Sequence, residues 1–392
     1  MKTRPTTPTA SNDAATVILL LAVQACLAIT ADAFVTLSGS TQRHHATDKC
    51  SPVPRLFQCR SIRLKSSRNR SSIRTQLYRK FHDYGWKQLT SDDNTEELDT
   101  VPEQLRSNSS PVKGKGTPGT NVVADIRSVS KFPRLSTNEA GHRDEPVLRL
   151  ARSALLETQL PSGEAAMTPS AIHVLNFVLF PSPYIRDQNQ SNDDASDGYL
   201  GLPIFGADIV SLPGNKHLVA LDFQPVLPLD DGVVGANEKE PPSLFPRRYS
   251  HLEEKLAAIH AKYQNKDSDP ASPLPWGGDI PPQARRFFSP YALWTRLGDK
   301  QAAETVNTVV WRAFRDYADL YVELMHAVQA DVHDGKLQVV ARNDGDNAVS
   351  RGQIEYLEYR RANDPARPML QRLYGHEWAE SVIETVLFPD LI

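Results

Sequence analysis

One amide and two carboxyl groups interrupt apolar runs in the C-terminal two thirds of the chain. The amide belongs to Asn176, which stands in the middle of residues 173–180, where strict alternation would place it in one row with Val174 and Val178. Burying an amide without hydrogen-bond partners costs about 1–3 kcal/mol. Asn176 is therefore either bonded to backbone inside a core or directed at a ligand.

The two acids are Asp208 and Asp222. Asp208 is the charged residue of 203–210, an otherwise apolar run. A carboxyl group removed from water holds its proton more tightly, so an acid in this setting is a candidate proton donor near neutral pH. Asp222 would share a strand face with Leu218 and Ala220. Either acid is equally compatible with a buried structural role, and spacing alone does not decide.

A third polar cluster occupies residues 356–367. If this segment is helical as far as Asn363, Arg360 and Asp364 are four positions apart and lie on one face. Taken alone, such a pair usually forms a surface ion pair or a helix end, which contributes little to stability.

The elements that must position these groups begin as strands. Runs rich in β-branched and aromatic residues are separated by turn signals such as 212–216. Sequential strands with short turns predict an antiparallel sheet. Neither a βαβ period nor a glycine-rich dinucleotide fingerprint is present, which disfavours a nucleotide-binding fold. The predicted strands are 121–126, 147–156, 173–180 and 217–223, and residues 208–210 precede the turn that leads into the last of them.

Helical spacing then replaces strand alternation. Helices are predicted over 249–263, 302–333, 351–363 and 376–387. Strands followed by helices predict an α+β fold, with the helices laid on the sheet. Residues 76–118 are polar and interrupted by Pro, Gly and Ser, which predicts a short helical start and then a variable linker without a packed core. The folded domain is therefore assigned to 119–392.

Several of these segments, in this order, resemble the ferredoxin-dependent bilin reductases. They include Val-Leu-Asn-Phe-Val, Leu-Pro-Gly, Phe-Phe-Ser-Pro and Leu-Trp-Thr-Arg, and the similarity extends from about residue 120 to the end of the chain. The matching residues are 174–178, 202–210, 212–214, 220–225, 280–297, 314–317, 363–370 and 374–378.

The resemblance implies an α/β/α sandwich that holds a bilin between the antiparallel sheet and the C-terminal helices. By position, Asp208 and Asp364 resemble the family's proton-donating acids on the sheet side and the helix side. Arg360 resembles a pocket arginine that binds a propionate or sets the pKa of Asp364, and Asn176 would bond the pyrrole or lactam edge. Substrate contacts are also expected from Phe205 and Phe223, while Asp222 is assigned a structural role.

No bound metal or flavin is expected, because in this family electrons come singly from reduced ferredoxin. Docking an acidic ferredoxin would need a local basic patch. Candidate residues are Arg247, Arg248, Arg285, Arg286, Arg361, Arg367 and Arg372. An upstream reductase or a downstream lyase would be a further partner.

The substrate expected from the resemblance is 15,16-dihydrobiliverdin, reduced at its A-ring diene system to phycoerythrobilin. Asn176 stands where the reductases that make phycocyanobilin carry a histidine, which argues against that branch. The alternatives are a sister reductase that acts on biliverdin at the 15,16 bond or makes phytochromobilin, a bilin carrier without activity, and a structural plastid protein. One departure from the family is the Asn/Asp/Ser-rich tract 188–198, an added solvated loop that would change substrate admission if the rim of the pocket lies there.

The first residues have the three regions of a signal peptide, which we assign to 1–33. Lys2 and Arg4 precede an apolar run over 14–29, and small residues follow. The run is interrupted by Gln24 and is shorter than the ~20 apolar residues of a spanning helix, so cleavage is favoured over anchoring.

Residues 34–75 are rich in Arg and Ser and contain one acid, Asp48, as in transit peptides. A signal peptide followed by a transit peptide resembles the presequence of algae whose plastids lie inside the secretory system. The expected location is therefore the plastid stroma. A secreted protein with a basic arm is the alternative.

The presequence also holds all three cysteines, Cys26, Cys50 and Cys59. A mature chain that starts near residue 76 would have no thiol for a disulfide, an iron–sulfur cluster, a thiolate-bound haem or a covalently attached chromophore. It would keep 33 of the 44 basic and 44 of the 47 acidic residues, a net charge near −11. That balance disfavours nucleic-acid binding.

Overall fold

The computed structural model describes twelve stretches of the chain, all within one compact unit, Ser72–Ile392. The predicted signal and transit peptides lie outside them, as does the tract 188–198 apart from its last residue. Within the described part of the chain, no helix has the length and apolar character needed to cross a membrane. The described residues are 77–89, 100–112, 118–130, 146–166, 171–187, 198–212, 214–227, 243–264, 273–298, 300–340, 347–364 and 366–390.

The centre of the fold is a sheet of seven strands, all paired antiparallel. The strands are β1 (Ser107–Pro111), β2 (Asn121–Val129), β3 (Leu148–Gln159), β4 (His173–Pro181), β5 (Ile185–Asp187), β6 (Ile204–Leu212), β7 (Lys216–Gln224), β8 (Leu293–Leu297) and β9 (Leu337–Val339). The sheet order is β1-β2-β3-β4-β6-β7-β8, and β5 pairs separately with β9. The antiparallel sheet predicted from the sequence is therefore confirmed.

Helices precede, interrupt and follow these strands. They are α1 (Arg79–Leu89), α2 (Glu103–Arg106), α3 (Ser250–Tyr263), α4 (Pro282–Arg285), α5 (Ala302–Thr305), α6 (Trp311–His333), α7 (Ala348–Ala362), α8 (Arg367–Tyr374) and α9 (His376–Val382). A π-helical segment, Val306–Val310, joins α5 to α6, so the helix predicted over 302–333 is continuous but not uniform. A second π-helical segment, Ile383–Leu387, follows α9.

Side-chain alternation gives the sheet two apolar faces. On β4, Leu175, Phe177 and Leu179 point into a core shared with α1, α3 and α6. The intervening Val174 and Val178 point into a second core, which α2, α7, α8 and α9 cover. Helices thus lie on both faces of the sheet, as an α/β/α sandwich requires.

The N-terminal segment corrects the prediction that 76–118 is a variable linker. Tyr78, Phe81 and Trp86 from α1 and the residue before it are buried in the first core. β1 pairs with β2 along its whole length. β1 was missed because its sequence, Ser-Asn-Ser-Ser-Pro, has turn composition, and an edge strand tolerates both polar residues and proline. The folded domain therefore begins before residue 119.

Replacing Phe81 with alanine should lower the free energy of unfolding by about 3–5 kcal/mol, the usual cost of removing a buried phenylalanine. Its ring has no exposed surface and meets the rings of Trp311 and Phe314 edge-on, with centroids 5.0 and 5.3 Å away. Urea unfolding of residues 76–392 measures the change. Ile354→Ala is the control, because this side chain on α7 is exposed and should cost less than about 0.5 kcal/mol. Equal costs for the two variants would show that α1 is not part of the core.

Candidate active site

Asn176 and Asp208 face each other on adjacent strands, β4 and β6, where they are direct register partners. The Asn176 amide donates a hydrogen bond from Nδ2 to Oδ1 of Asp208. Asn176 lies in the row with Val174 and Val178, on the face that α7 to α9 cover, as the alternation predicts. The sequence left two roles open for Asn176, a hydrogen bond to backbone inside a core or contact with a ligand. The hydrogen bonds that the structure gives its side chain go to other side chains, which does not support the first role.

Arg360 reaches Asp208 from α7. Its Nη1 and Nη2 atoms each donate to Oδ2 of Asp208 at 3.2 Å. The side chains of Arg360 and Asp208 are 15% and 30% exposed, so the pair is open to solvent on one side. The desolvated setting expected for Asp208 differs from the one found, because its side chain keeps this exposure and its oxygens contact an amide and a guanidinium.

α7 holds Arg360 in place because its first turns are bound to the end of β4. Asn347 caps the helix by accepting a hydrogen bond from the Ser350 backbone N–H at 2.8 Å. Gln353 donates from Nε2 to the Pro181 carbonyl at 2.9 Å. Arg360 is seven positions after Gln353, close to two helical turns, so both side chains point toward the sheet.

Asp364 lies just beyond the last turn of α7, which ends at Ala362. Its Oδ1 accepts a hydrogen bond from the Ala366 backbone N–H at 2.8 Å. Burial raises the pKa of the Asp364 carboxyl group above its ordinary value, although the positive charge of Arg360 opposes this shift. Asp364 therefore holds a proton at higher pH than an exposed aspartate does, which suits a proton donor.

Arg152 on β3 belongs to the same site, and the sequence analysis missed it. Its Nη1 donates to Oδ1 of Asn176 at 2.6 Å. Arg152 is completely buried, and this burial lowers the pKa of its guanidinium to about 10. The signal was present, because strand alternation places Arg152 in a row with Ala154, on the face that carries Asn176.

Phe205 and Phe223 do not lie in this site, which corrects the prediction that they contact substrate. Each is completely buried on the opposite face of the sheet. Their ring centroids are 5.9 Å apart and lie 5.6 and 5.2 Å from that of Tyr321. The reason is alternation: Phe205 is three positions from Asp208 on β6 and so points to the other side.

Asp222 is on the same sheet face as Asp208 but serves another purpose. Its carboxyl oxygens accept hydrogen bonds from the backbone N–H of Ser289 at 2.9 Å and from its hydroxyl at 2.5 Å. It is 1% exposed. Asp222 therefore attaches the segment before β8 to β7, in agreement with the structural role assigned to it.

The site is thus a hydrogen-bonded chain, Arg152–Asn176–Asp208–Arg360, with Asp364 beside it. Asp208 is held by the sheet and Asp364 by the end of a helix, so acids come from two separate layers of the fold. Two guanidinium groups supply positive charge around them. Such an arrangement can deliver protons from two directions to a group that becomes more negative as it is reduced.

A family model described as ferredoxin-dependent bilin reductase matches residues 164–389, more than half of the chain. Three curated relatives carry the name phycoerythrobilin:ferredoxin oxidoreductase. The one from Nostoc punctiforme is 38% identical over 219 residues, which are 56% of this chain and 66% of that protein. The one from Gloeobacter violaceus is 38% identical over 219 residues, 56% of this chain and 69% of that protein. The one from Synechococcus sp. strain RCC307 is 35% identical over 262 residues, 65% of this chain and 80% of that protein.

A solved structure of phytochromobilin synthase from tomato in complex with biliverdin is also similar. It is 21% identical, with a TM-score of 0.45, and the match covers 79% of this chain and 82% of that one. The alignments span about two thirds of the length of the first two relatives. The match of the family model over more than half of the chain decides the assignment: the chain belongs to the ferredoxin-dependent bilin reductases, a family of oxidoreductases.

Proposed function

We propose that this chain uses reduced ferredoxin to reduce the A-ring diene system of 15,16-dihydrobiliverdin, with phycoerythrobilin as the product. The observation that carries the proposal is the chain Arg152–Asn176–Asp208–Arg360 with Asp364 beside it, in the layer between the sheet and the C-terminal helices. The names of the relatives support the choice of step.

The reaction adds two electrons and two protons to the bilin. Ferredoxin gives one electron at a time, so two reduced ferredoxins are consumed and a substrate radical lies between the two transfers. Asp208 donates a proton from the sheet side and Asp364 from the helix side. Asp208 recovers its proton from solvent, which the 30% exposure of its side chain permits, and Asp364 is also partly exposed.

The contacts of Asn176 and Arg360 narrow their roles. The side-chain oxygen of Asn176 accepts a hydrogen bond from Arg152, and one N–H of its amide donates to Asp208. The second N–H of the amide suits a lactam oxygen of the bilin. Both terminal nitrogens of Arg360 are engaged by Asp208. Each of these nitrogens keeps a second N–H, so Arg360 can act on the charge of the two acids and also donate to a propionate of the bilin.

Electrons reach the bilin from ferredoxin without a resident metal or flavin in this proposal, and the enzyme works in the plastid stroma. Of the seven arginines expected to dock ferredoxin, four are paired with acids of the chain itself. These four are Arg248, Arg286, Arg361 and Arg367. Arg247, Arg285 and Arg372 are exposed on the surface and are better placed to meet an acidic partner.

An anaerobic assay of residues 76–392 with reduced ferredoxin tests the proposal. This fragment keeps Leu77 and Tyr78, both buried in the core. Biliverdin and 15,16-dihydrobiliverdin are offered separately, and products are identified by absorbance and chromatography. Conversion of dihydrobiliverdin alone, to phycoerythrobilin, is the expected result. Conversion of biliverdin would reassign the chain to a sister reductase, and tight binding without reduction would make it a carrier.

A further inference from the structure

Arg152 is an unusual residue for the middle of a sheet. It has no exposed surface, and its Nε and Nη2 atoms have no hydrogen-bond partner among the residues that the structure describes. Burying a guanidinium is costly, and an apolar side chain of similar volume would usually be as stable or more so. Arg152 also precedes the residues that the family model matches. Its hydrogen bond to Asn176 indicates a purpose other than stability.

That hydrogen bond fixes the direction of the Asn176 amide. A guanidinium can only donate, so the amide group facing Arg152 must be the oxygen, and the 2.6 Å contact joins Nη1 to Oδ1. The NH₂ group then points to Asp208. The reversed amide would set donor against donor at Arg152 and acceptor against acceptor at an ionised Asp208.

Arg152 and Asp208 both constrain the direction of the Asn176 amide, but only the constraint from Arg152 persists when Asp208 changes its protonation state. An ionised Asp208 accepts from the amide, but a protonated Asp208 can also donate, and it would tolerate either amide direction. Arg152 remains a donor in both states. Its ring contacts keep it in position: its guanidinium carbon is 4.7 Å from the ring centroid of Phe388 and 5.7 Å from that of Phe180.

We infer that Arg152 is a positioning residue, which holds the Asn176 amide with its N–H toward Asp208 in both protonation states of that acid. The N–H is then already in place to stabilise the carboxylate that remains when Asp208 gives up its proton. This consequence for catalysis rests on the proposed function. The orientation of the amide does not.

The C-terminal segment supports this arrangement. Phe388 follows the second π-helical segment, and its ring lies against both Arg152 and Arg360, 5.5 Å from the guanidinium carbon of the latter. Its carbonyl accepts hydrogen bonds from Nε and Nη2 of Arg361 at 3.2 and 2.6 Å. Phe388 thus shields Arg152 from water, which would otherwise compete for Asn176.

The kinetic test uses the full chain and compares R152K, whose side chain can only donate, with R152Q, whose side chain can donate or accept. Each substitution is made with Asn176 present and in the N176A background. With Asn176 present, we expect R152Q to lower kcat about tenfold or more with KM within about twofold, and R152K to keep most of the unaltered kcat. In the N176A background both substitutions should change kcat less than about twofold, because Arg152 acts through Asn176. The substrate in this test is the bilin that the unaltered chain reduces. If that bilin is reduced at another position than proposed, the proposed step is overturned, but this inference is not.

A second measurement needs no turnover. In protein labelled with ¹⁵N-asparagine, the side-chain N–H of Asn176, assigned by its loss in N176A, should exchange with solvent at least about tenfold faster in R152Q than in R152K. R152M replaces R152Q if the latter does not fold. Equal exchange in the two variants, an equal loss of kcat in both backgrounds, or a rise in KM with kcat unchanged would each overturn the inference.

Discussion

Asp208→Asn should lower kcat for bilin reduction by about 10²–10⁴-fold, the range that a positioned general acid contributes. Asparagine keeps the size of the side chain but has no proton to give. Bilin binding should persist, because Asn176 and the apolar residues around it are unchanged, and any residual turnover should be redirected to another position of the bilin. Single-turnover absorbance under reducing conditions, with product chromatography, measures both effects.

Asp125→Asn is a matched control for this variant. Asp125 is on β2 of the same sheet, its side chain is 27% exposed, and it pairs with Arg79 at 3.2 Å, much as Asp208 pairs with Arg360. It points away from the site, since its neighbours Ala124 and Ile126 are the residues on that face. Normal turnover by Asp208→Asn, or an equal loss in the control, would remove Asp208 from the proton-transfer assignment.

Local pattern was enough to predict which faces the polar residues occupy. The alternation along 173–180 placed Asn176 in the correct row, and the same rule, applied to 204–212, separates Phe205 from Asp208. The assignment of Phe205 to the substrate came from the family resemblance and ignored that rule. Side-chain direction in a strand is thus a stronger constraint than the proximity of two residues along the chain.

The pairing of Asn176 with Asp208 was not predictable, because it depends on strand register. The two residues are joined by 31 intervening positions that include β5 and the tract 188–198, and no local signal sets how β6 aligns with β4. The meeting of Arg360 with Asp208 depends further on where α7 docks. Contacts between distant elements follow from packing of the whole fold, which a single sequence does not display.

Arg152 and β1 show two other ways in which sequence reasoning fails. Alternation places Arg152 on the face that carries Asn176, but a charge in a strand usually marks the solvent side, and only the covering of that face by α7 and the C-terminal segment shows which of the two rules holds. The residues of β1 are polar because an edge strand needs few apolar contacts. Both exceptions lie beside the site or at the margin of the sheet, where stability is not the only requirement.

Asp364→Asn should lower kcat about 10²-fold or more and leave a partly reduced bilin radical, because the proton from the helix side is missing when the radical needs it. Electron paramagnetic resonance of samples frozen after mixing with reduced ferredoxin would detect the radical. The substitution should not weaken the fold at neutral pH. Asn can still accept the hydrogen bond from the Ala366 backbone N–H that Asp364 accepts at 2.8 Å.

The pH dependence of stability distinguishes two roles of Asp364, a proton donor and a structural support of the helix end. Since burial raises the pKa of Asp364 in the folded chain, its favourable contribution is complete below the pKa of the unfolded chain and is lost as pH rises through the folded value. Relative to the unaltered protein, Asp364→Asn should therefore gain stability between about pH 4 and neutrality, as followed by urea unfolding. Asp390→Asn is the control. It removes the exposed ion-pair partner of Arg361, the residue after Arg360 on α7, and should change neither stability nor turnover. A variant at Asp364 that loses stability at neutral pH, or turns over without radical accumulation, would show that this carboxyl group supports the helix end and does not deliver a proton.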